Sequence, residues 1–99
     1  MLNIDQKKDG GSLVITLDGR LDTSTAPQLE EAIGETIADV TDLKFDFGKL
    51  EYISSAGLRV LLSTQKTMNK QGKMVIQNVS EEVLEIFDVT GFSDILTIE

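Results

Sequence analysis

The sequence predicts an α/β fold, in which a mixed β-sheet of about five strands opens with a β-hairpin and carries three main helices, in the order β-β-α-β-α-β-α-β. Three observations lead to this fold class. Apolar residues alternate at period two on both sides of an early glycine turn. Segments of helix period and of strand period then follow each other to the end of the chain. The length of 99 residues fits one domain, residues 1–99, with one core.

The chain begins with two predicted strands joined by a tight turn. Leu2, Ile4 and Gln6 share one phase of an alternating pattern, and residues 13–17 alternate in the same way. Between them lies the tripeptide Asp9–Gly11, which is typical of a hairpin turn because glycine tolerates positive φ. The two strands are therefore predicted to be antiparallel neighbours.

A polar connection leads to the first helix, which is predicted to start near Pro27. Thr25 and Gln28 fit a capping box at this start. The apolar positions of the helix recur at helical spacing: Leu29, Ala32, Ile33, Ile37 and Val40. A third strand is predicted from alternating apolar residues: Leu43, Phe45 and Phe47. Residues 48–53 are expected to form a loop.

The second half of the chain predicts two further helices and two further strands. The second helix covers Ser55–Gln71, and a fourth strand covers Met74–Val79. Ser80 is expected to cap the third helix, which ends at about Thr90 before Gly91. A final strand is predicted at Ile95–Ile98. Because strands alternate with helices, the crossovers are expected to be right-handed and the later strands mainly parallel.

Composition excludes several functions. The chain has no cysteine and no histidine, which excludes disulfides, thiol nucleophiles, histidine triads, histidine metal ligands and histidine phosphorelay. The net charge of −8 disfavours nucleic acid and anionic membranes as partners and favours a partner with a basic rim. No apolar run approaches the roughly 20 residues of a membrane span, and no signal peptide is recognised. A cytoplasmic protein without cofactor or metal is expected.

Function is expected in the two loops that follow the carboxyl ends of strands. These are residues 19–25 and Tyr52–Arg59. The second loop places Ser54 and Ser55 at a helix N-terminus, where free N–H groups and the helix dipole favour an anion. A serine at this position is ordinarily a cap, but one cap needs only one hydroxyl. A phosphate on one of these serines would be stabilised by about 0.3–1 kcal/mol.

Two charged residues near these loops each have two interpretations. Asp22 is either a solvated turn acid or a polar neighbour of the serine loop that meets a partner. Arg59 is either a solvated cation, or an interface contact, or a cation near a phosphoserine. The residues around Ser54 form no G-x-S-x-G elbow, and the chain has no phosphate-binding loop motif. Catalysis by this protein is therefore not expected.

The segment Leu50–Leu62 resembles the signature of the STAS-domain anti-sigma-factor antagonists of bacteria. Three other segments are similar to further parts of the family pattern: Gly19–Asp22, Gly72–Ile76 and Phe87–Phe92. The resemblance spans essentially the whole chain and implies a STAS-like fold in a single STAS domain. The typical phosphosite of the family reads Asp-Ser-Ser/Thr-Gly-Leu. On that pattern Ser55 takes the phosphorylated position, Ser54 replaces the aspartate and Ala56 replaces the second hydroxyl residue.

The resemblance implies a function in partner switching. The unphosphorylated protein would bind an anti-sigma factor that is an ATP-binding serine kinase of the histidine-kinase-like ATPase type, and so release a sigma factor. Phosphorylation at Ser55 would end this binding, and a PP2C-type phosphatase would restore it. The expected partner-binding residues are Asp22, Thr23, Ser54, Ser55, Gly57, Leu58 and Arg59. The protein is expected to be a monomer.

One alternative stays open. The chain would then be a STAS module that acts as a subunit or scaffold in a transport or stressosome-like complex, without sigma-factor control.

Overall fold

The computed structural model describes all 99 residues, and its architecture is α/β with a mixed sheet that opens with a hairpin, as predicted. The elements are β1 (Leu2–Asp9), β2 (Ser12–Leu21), α1 (Ala26–Thr36), β3 (Asp42–Ile53), α2 (Ser55–Gln71), β4 (Lys73–Gln77) and α3 (Glu81–Thr90). Short 3-10 helices follow α1 and α3 at Ile37–Asp39 and Phe92–Asp94. None of the helices combines the length and the hydrophobicity that crossing a lipid bilayer demands.

The four strands form one sheet in the order β1-β2-β3-β4. β1 and β2 are antiparallel, and Asp9 lies opposite Ser12, so that only Gly10 and Gly11 remain in the turn. Gly10 has a φ of +61°, a left-handed conformation that glycine adopts without a steric penalty. The hairpin prediction is confirmed. β2, β3 and β4 are parallel, because α1 and α2 carry the chain back across the sheet between them.

The predicted final strand at Ile95–Ile98 is wrong except at one residue. Ile98 forms a single parallel bridge with Ile76 of β4. Gly91, with a φ of +82°, ends α3 and turns the chain into the 3-10 helix Phe92–Asp94, whose hydrogen bonds keep the chain coiled. Only the last few residues reach the edge of β4, and the sheet therefore has four strands rather than about five.

The loop expected at residues 48–53 is also wrong, because β3 continues to Ile53. The register between β2 and β3 shifts once around Gly48 and again at Glu51, as it does at a β-bulge. The buried positions of β3 consequently pass from Phe47 to Leu50 and then to Ile53, at a spacing of three instead of two. Period two is lost from the sequence although the strand continues. Because of this extension, β3 ends beside the carboxyl end of β2.

One face of the sheet and the inner faces of the helices form a single core. Phe45, Phe47 and Phe87 are fully buried. The ring centroid of Phe47 lies 5.7 Å from that of Phe45 and 6.4 Å from that of Phe87, which packs α3 against β3. On the opposite face of the sheet, residues such as Lys7 and Lys44 are exposed. Because α1 and α2 each follow a parallel strand directly, both begin at the carboxyl ends of the strands.

Candidate functional site

The carboxyl ends of β2 and β3 lie side by side. Leu21 pairs with Ile53 in the parallel register, and the backbone N–H of Ser54 donates a hydrogen bond to the carbonyl oxygen of Leu21 at 2.8 Å. The turn that follows β2, residues 22–25, therefore lies next to the start of α2. Thr23 of this turn lines the same groove as Arg59 of α2. The two loops singled out in the sequence thus form one surface.

The two adjacent serines have different surroundings. Ser54 is the N-cap of α2: its backbone is extended and its Oγ accepts a hydrogen bond from the N–H of Gly57 at 3.4 Å. Ser55 is the first residue of the helix and is exposed, and its hydroxyl makes no hydrogen bond within the protein. The cap uses one hydroxyl and leaves the other free.

Gly57 and Leu58 lie beneath this surface. Leu58 is 5% exposed and belongs to the core. A Cβ added to Gly57 would lie 2.7 Å from Cγ of Leu21 and 2.9 Å from Cγ1 of Ile53, so the start of α2 packs directly on the ends of both strands. Neither residue offers a side chain to a partner. Both residues support the surface from beneath, and their expected place among the partner-binding residues stays a prediction.

Asp22 organises the turn that precedes α1. Its Oδ1 accepts hydrogen bonds from the N–H of Ser24 at 3.0 Å, from the hydroxyl of Ser24 at 2.7 Å and from the N–H of Thr25 at 3.1 Å. The hydroxyl of Thr25 accepts a hydrogen bond from the N–H of Asp22 and donates one to the carbonyl oxygen of Arg20, both at 2.8 Å. The side chain of Thr25 is thus used within the turn and does not cap α1. The predicted capping box with Gln28 is wrong.

The pKa of Asp22 should report this turn. The hydroxyl of Ser24 is the largest cause that holds the pKa of Asp22 below its ordinary value of 3.8, with support from Thr25 and from backbone N–H groups and opposition from partial burial. The pKa of Asp22 is lower in the folded protein than in the unfolded chain. The ionised carboxylate therefore stabilises the folded state fully above pH 3.8, and this stabilisation is lost as the pH falls through the pKa of the folded protein.

We expect an NMR titration of the Asp22 carboxyl to give a midpoint below 3.8, closer to 3.8 in Ser24→Ala and unchanged in the remote variant Ser93→Ala. A wild-type midpoint at or above 3.8 would contradict the hydrogen-bonded turn.

Arg20 and Tyr52 extend the surface; the two expected loops include them, but the sequence did not single them out as site residues. They pair across β2 and β3, and the guanidinium of Arg20 lies 4.5 Å from the centroid of the Tyr52 ring, a cation–π contact. The Nε of Arg20 lies 3.9 Å from Oδ2 of Asp22. The signal that could have found this pair is strand alternation, since both precede a core residue of their strand. It could not be used because residues 48–53 were expected to be a loop.

A groove lies beside Ser55, between the starts of α1 and α2. It has a volume of about 170 Å³ and is lined by Thr23, Ala26, Pro27, Glu30, Ala56, Arg59 and Val60. Thr23 and Arg59 are exposed, and Arg59 makes no ion pair. No three acidic side chains come close enough to hold a metal ion. The hydroxyl of Ser55 is therefore free and accessible, on a surface whose backbone is held in place by hydrogen bonds.

The fold and the site together define a class of protein: a small α/β domain that carries an exposed serine with a free hydroxyl at the start of a helix. The chain belongs to the STAS domain family, whose pattern matches residues 3–99. The family expected from the sequence is confirmed.

The relatives and similar structures match along nearly the whole chain. The anti-sigma-B factor antagonist of Bacillus subtilis (strain 168) is 32% identical over 98 residues, which cover 98% of this chain and 90% of that protein. An anti-sigma factor antagonist from Mycobacterium paratuberculosis is 25% identical with a TM-score of 0.87, covering 99% of this chain and 85% of that one. The unphosphorylated antagonist SpoIIAA of Bacillus is 21% identical with a TM-score of 0.78, covering 98% and 87%. Its phosphorylated form gives a TM-score of 0.77. The likeness to SpoIIAA is one of fold.

Proposed function

We propose that the chain is an anti-sigma factor antagonist, which binds an anti-sigma factor in its unphosphorylated form and loses this binding when Ser55 is phosphorylated. The observation that carries the proposal is the exposed, unbonded hydroxyl of Ser55 at the first residue of α2. Support comes from the full-length relation to a protein named an anti-sigma-B factor antagonist, and from a related fold solved in both phosphorylated and unphosphorylated forms.

The surroundings of Ser55 suit a phosphate. A phosphoserine carries a charge of about −1.5 to −2 at neutral pH. The first turn of α2 contains no acidic residue, and the free N–H groups of a helix N-terminus favour negative charge. Arg59 lies four residues after Ser55, on the same helix face, and makes no ion pair of its own. The protein therefore accepts the phosphate without refolding, and the effect falls on the partner.

The proposed partners follow from the same assignment. The anti-sigma factor is an ATP-binding serine kinase of the histidine-kinase-like ATPase type, and a PP2C-type phosphatase removes the phosphate. The contact surface consists of Asp22, Thr23, Ser54, Ser55 and Arg59. Residues 1–99 act as one STAS domain in the cytoplasm.

The test is phosphorylation by a cognate kinase. We expect incubation with ATP and each anti-sigma-type kinase of the source genome to add one phosphate, which tandem mass spectrometry maps to Ser55. Ser55→Ala should abolish it. Ser54→Asn, which keeps an N-cap acceptor, and Ser63→Ala, which removes another exposed serine of α2, should both retain it.

Two other outcomes would contradict the assignment. A phosphate mapped to Ser54 would move the modification by one residue. No phosphate with any of the kinases would overturn the role of Ser55 and favour the alternative, a STAS module in a transport or stressosome-like complex.

A further inference from the structure

Helix α3 and the chain after it form the most acidic part of the protein. Residues 74–99 contain six acidic residues and no basic one, whereas residues 1–73 contain 11 acidic and nine basic residues. The six acidic residues are all exposed: Glu81, Glu82, Glu85, Asp88, Asp94 and Glu99. This quarter of the chain therefore carries −6 of the net charge of −8.

An exposed apolar side chain lies among these acids. Val89 is 80% exposed, so it adds almost nothing to the core. It also does little for the helix, because a β-branched residue forms helix less readily than an unbranched one. Ile86, one turn earlier, is half-buried, and together with Glu82, Glu85 and Thr90 the two apolar residues line a hollow of about 290 Å³. An apolar centre with a charged rim is the usual anatomy of a protein interface.

We propose that this hollow, the α3 hollow, is a second docking surface, and that it binds a protein segment presenting an apolar side chain flanked by lysine or arginine. The sign of the charge selects this occupant. Nucleic acid and anionic lipid surfaces are repelled by six acids without a base. A second copy of the chain docking through the same face would bring acid onto acid. The residues of the α3 hollow differ from those of the groove beside Ser55, so this surface goes beyond the proposed function and does not depend on it.

The experiment is an NMR titration of the ¹⁵N-labelled protein with a synthetic helical peptide that carries leucine along one face and lysine on both sides of it. We expect shift changes at the amides around Ile86 and Val89 and none around Ser55. The affinity should fall as salt is raised, because exposed charge pairs are screened. Two peptides serve as controls, one with glutamate in place of lysine and one with the same composition in scrambled order. Neither should bind.

Matched variants distinguish binding at the α3 hollow from a general attraction between a basic peptide and an acidic protein. Val89→Ser should weaken binding about tenfold, since it removes the apolar contact that a buried valine provides. Glu85→Lys should weaken it by a similar factor. Glu31→Lys makes the same charge change at an exposed site on α1 and should leave the affinity nearly unchanged. Because Val89 and Glu85 are exposed, all three variants should fold, which circular dichroism checks.

Several results would overturn the proposal. One is that the lysine peptide changes the amide shifts of α1 as strongly as those of α3. Another is that the glutamate peptide binds as well as the lysine peptide, and a third is that Glu31→Lys weakens binding as much as Glu85→Lys. Self-association of the unliganded protein through the α3 hollow, seen by analytical ultracentrifugation and removed by Val89→Ser, would assign the surface to a second copy instead.

Discussion

A phosphoserine at position 55 is expected to weaken binding to the anti-sigma factor about a thousandfold, whereas Ser55→Ala should change it by only a few fold. A thousandfold loss corresponds to about 4 kcal/mol. One unfavourable charge contact at about 4 Å supplies that amount at an effective dielectric constant of roughly 20. Ser55 is exposed at the surface, so the added phosphate meets the partner and not the core of this protein. No conformational change is required.

Calorimetry on protein carrying phosphoserine at position 55, installed during translation, measures this effect without the kinase. Backbone amide shifts should change only around Ser55, Thr23 and Arg59. Phosphoserine at position 63, which is also exposed on α2, is the matched control and should cost far less affinity. A rearrangement of α2, or an equal loss from the control, would refute a local electrostatic mechanism.

Replacing Gly72 with alanine is expected to destabilise the fold by roughly 3 kcal/mol, the upper end of ordinary overpacking penalties. A Cβ at this position would lie 1.9 Å from the carbonyl oxygen and 2.7 Å from the Cα of Thr41. The φ of Gly72 is 174°, which any residue adopts, so the penalty comes from the close approach of two backbones. They are held together by a hydrogen bond from the N–H of Lys73 to the carbonyl oxygen of Thr41 at 3.0 Å.

Two other glycines provide the comparison. Gly57→Ala should cost about 1–3 kcal/mol, because its Cβ would meet the side chains of Leu21 and Ile53, which can shift more easily than backbone. Gly34→Ala on α1 should stabilise by about 0.5–1 kcal/mol, since nothing beyond the neighbouring backbone of its own helix lies within 4 Å of its added Cβ. The free energy of unfolding from urea denaturation at constant pH measures all three. Equal values for Gly72→Ala and Gly34→Ala would show that the backbone approach is wrong.

The sequence predicted those elements whose local chemistry and tertiary setting agree. The hairpin followed from a glycine turn between alternating segments, and α2 was predicted at its actual bounds, with two serines at its start. The errors lie where tertiary contacts override the local pattern. The bulge near Gly48 interrupts the period-two pattern, so the continuation of β3 could not be recognised in the sequence. The 3-10 helix after Gly91 keeps the following residues coiled, so they do not form a fifth strand.

The sequence predicted where the site lies in the fold, but not which of its residues are exposed and which are buried. The chemistry of helix ends predicted that one of the two serines caps the helix and leaves the other free, and the structure shows that Ser54 is the cap. Gly57 and Leu58 were expected among the partner-binding residues, and their burial was not foreseen, because a linear motif does not distinguish exposed residues from residues that support them. Thr25 was expected to cap α1, but the carboxylate of Asp22 binds that turn more completely.

The two loops of the site are joined to each other through main-chain atoms. The N–H of Ser54 bonds to the carbonyl oxygen of Leu21 and joins the loops, and within the first loop the N–H of Ala26 bonds to the carbonyl oxygen of Asp22. Almost every residue type has these atoms, so the shape of the surface does not depend on the exposed side chains at Thr23 and Arg59. Those positions can therefore change without altering the backbone of the surface. Proteins of this family can thereby differ in the partner that they recognise while they keep the same surface shape.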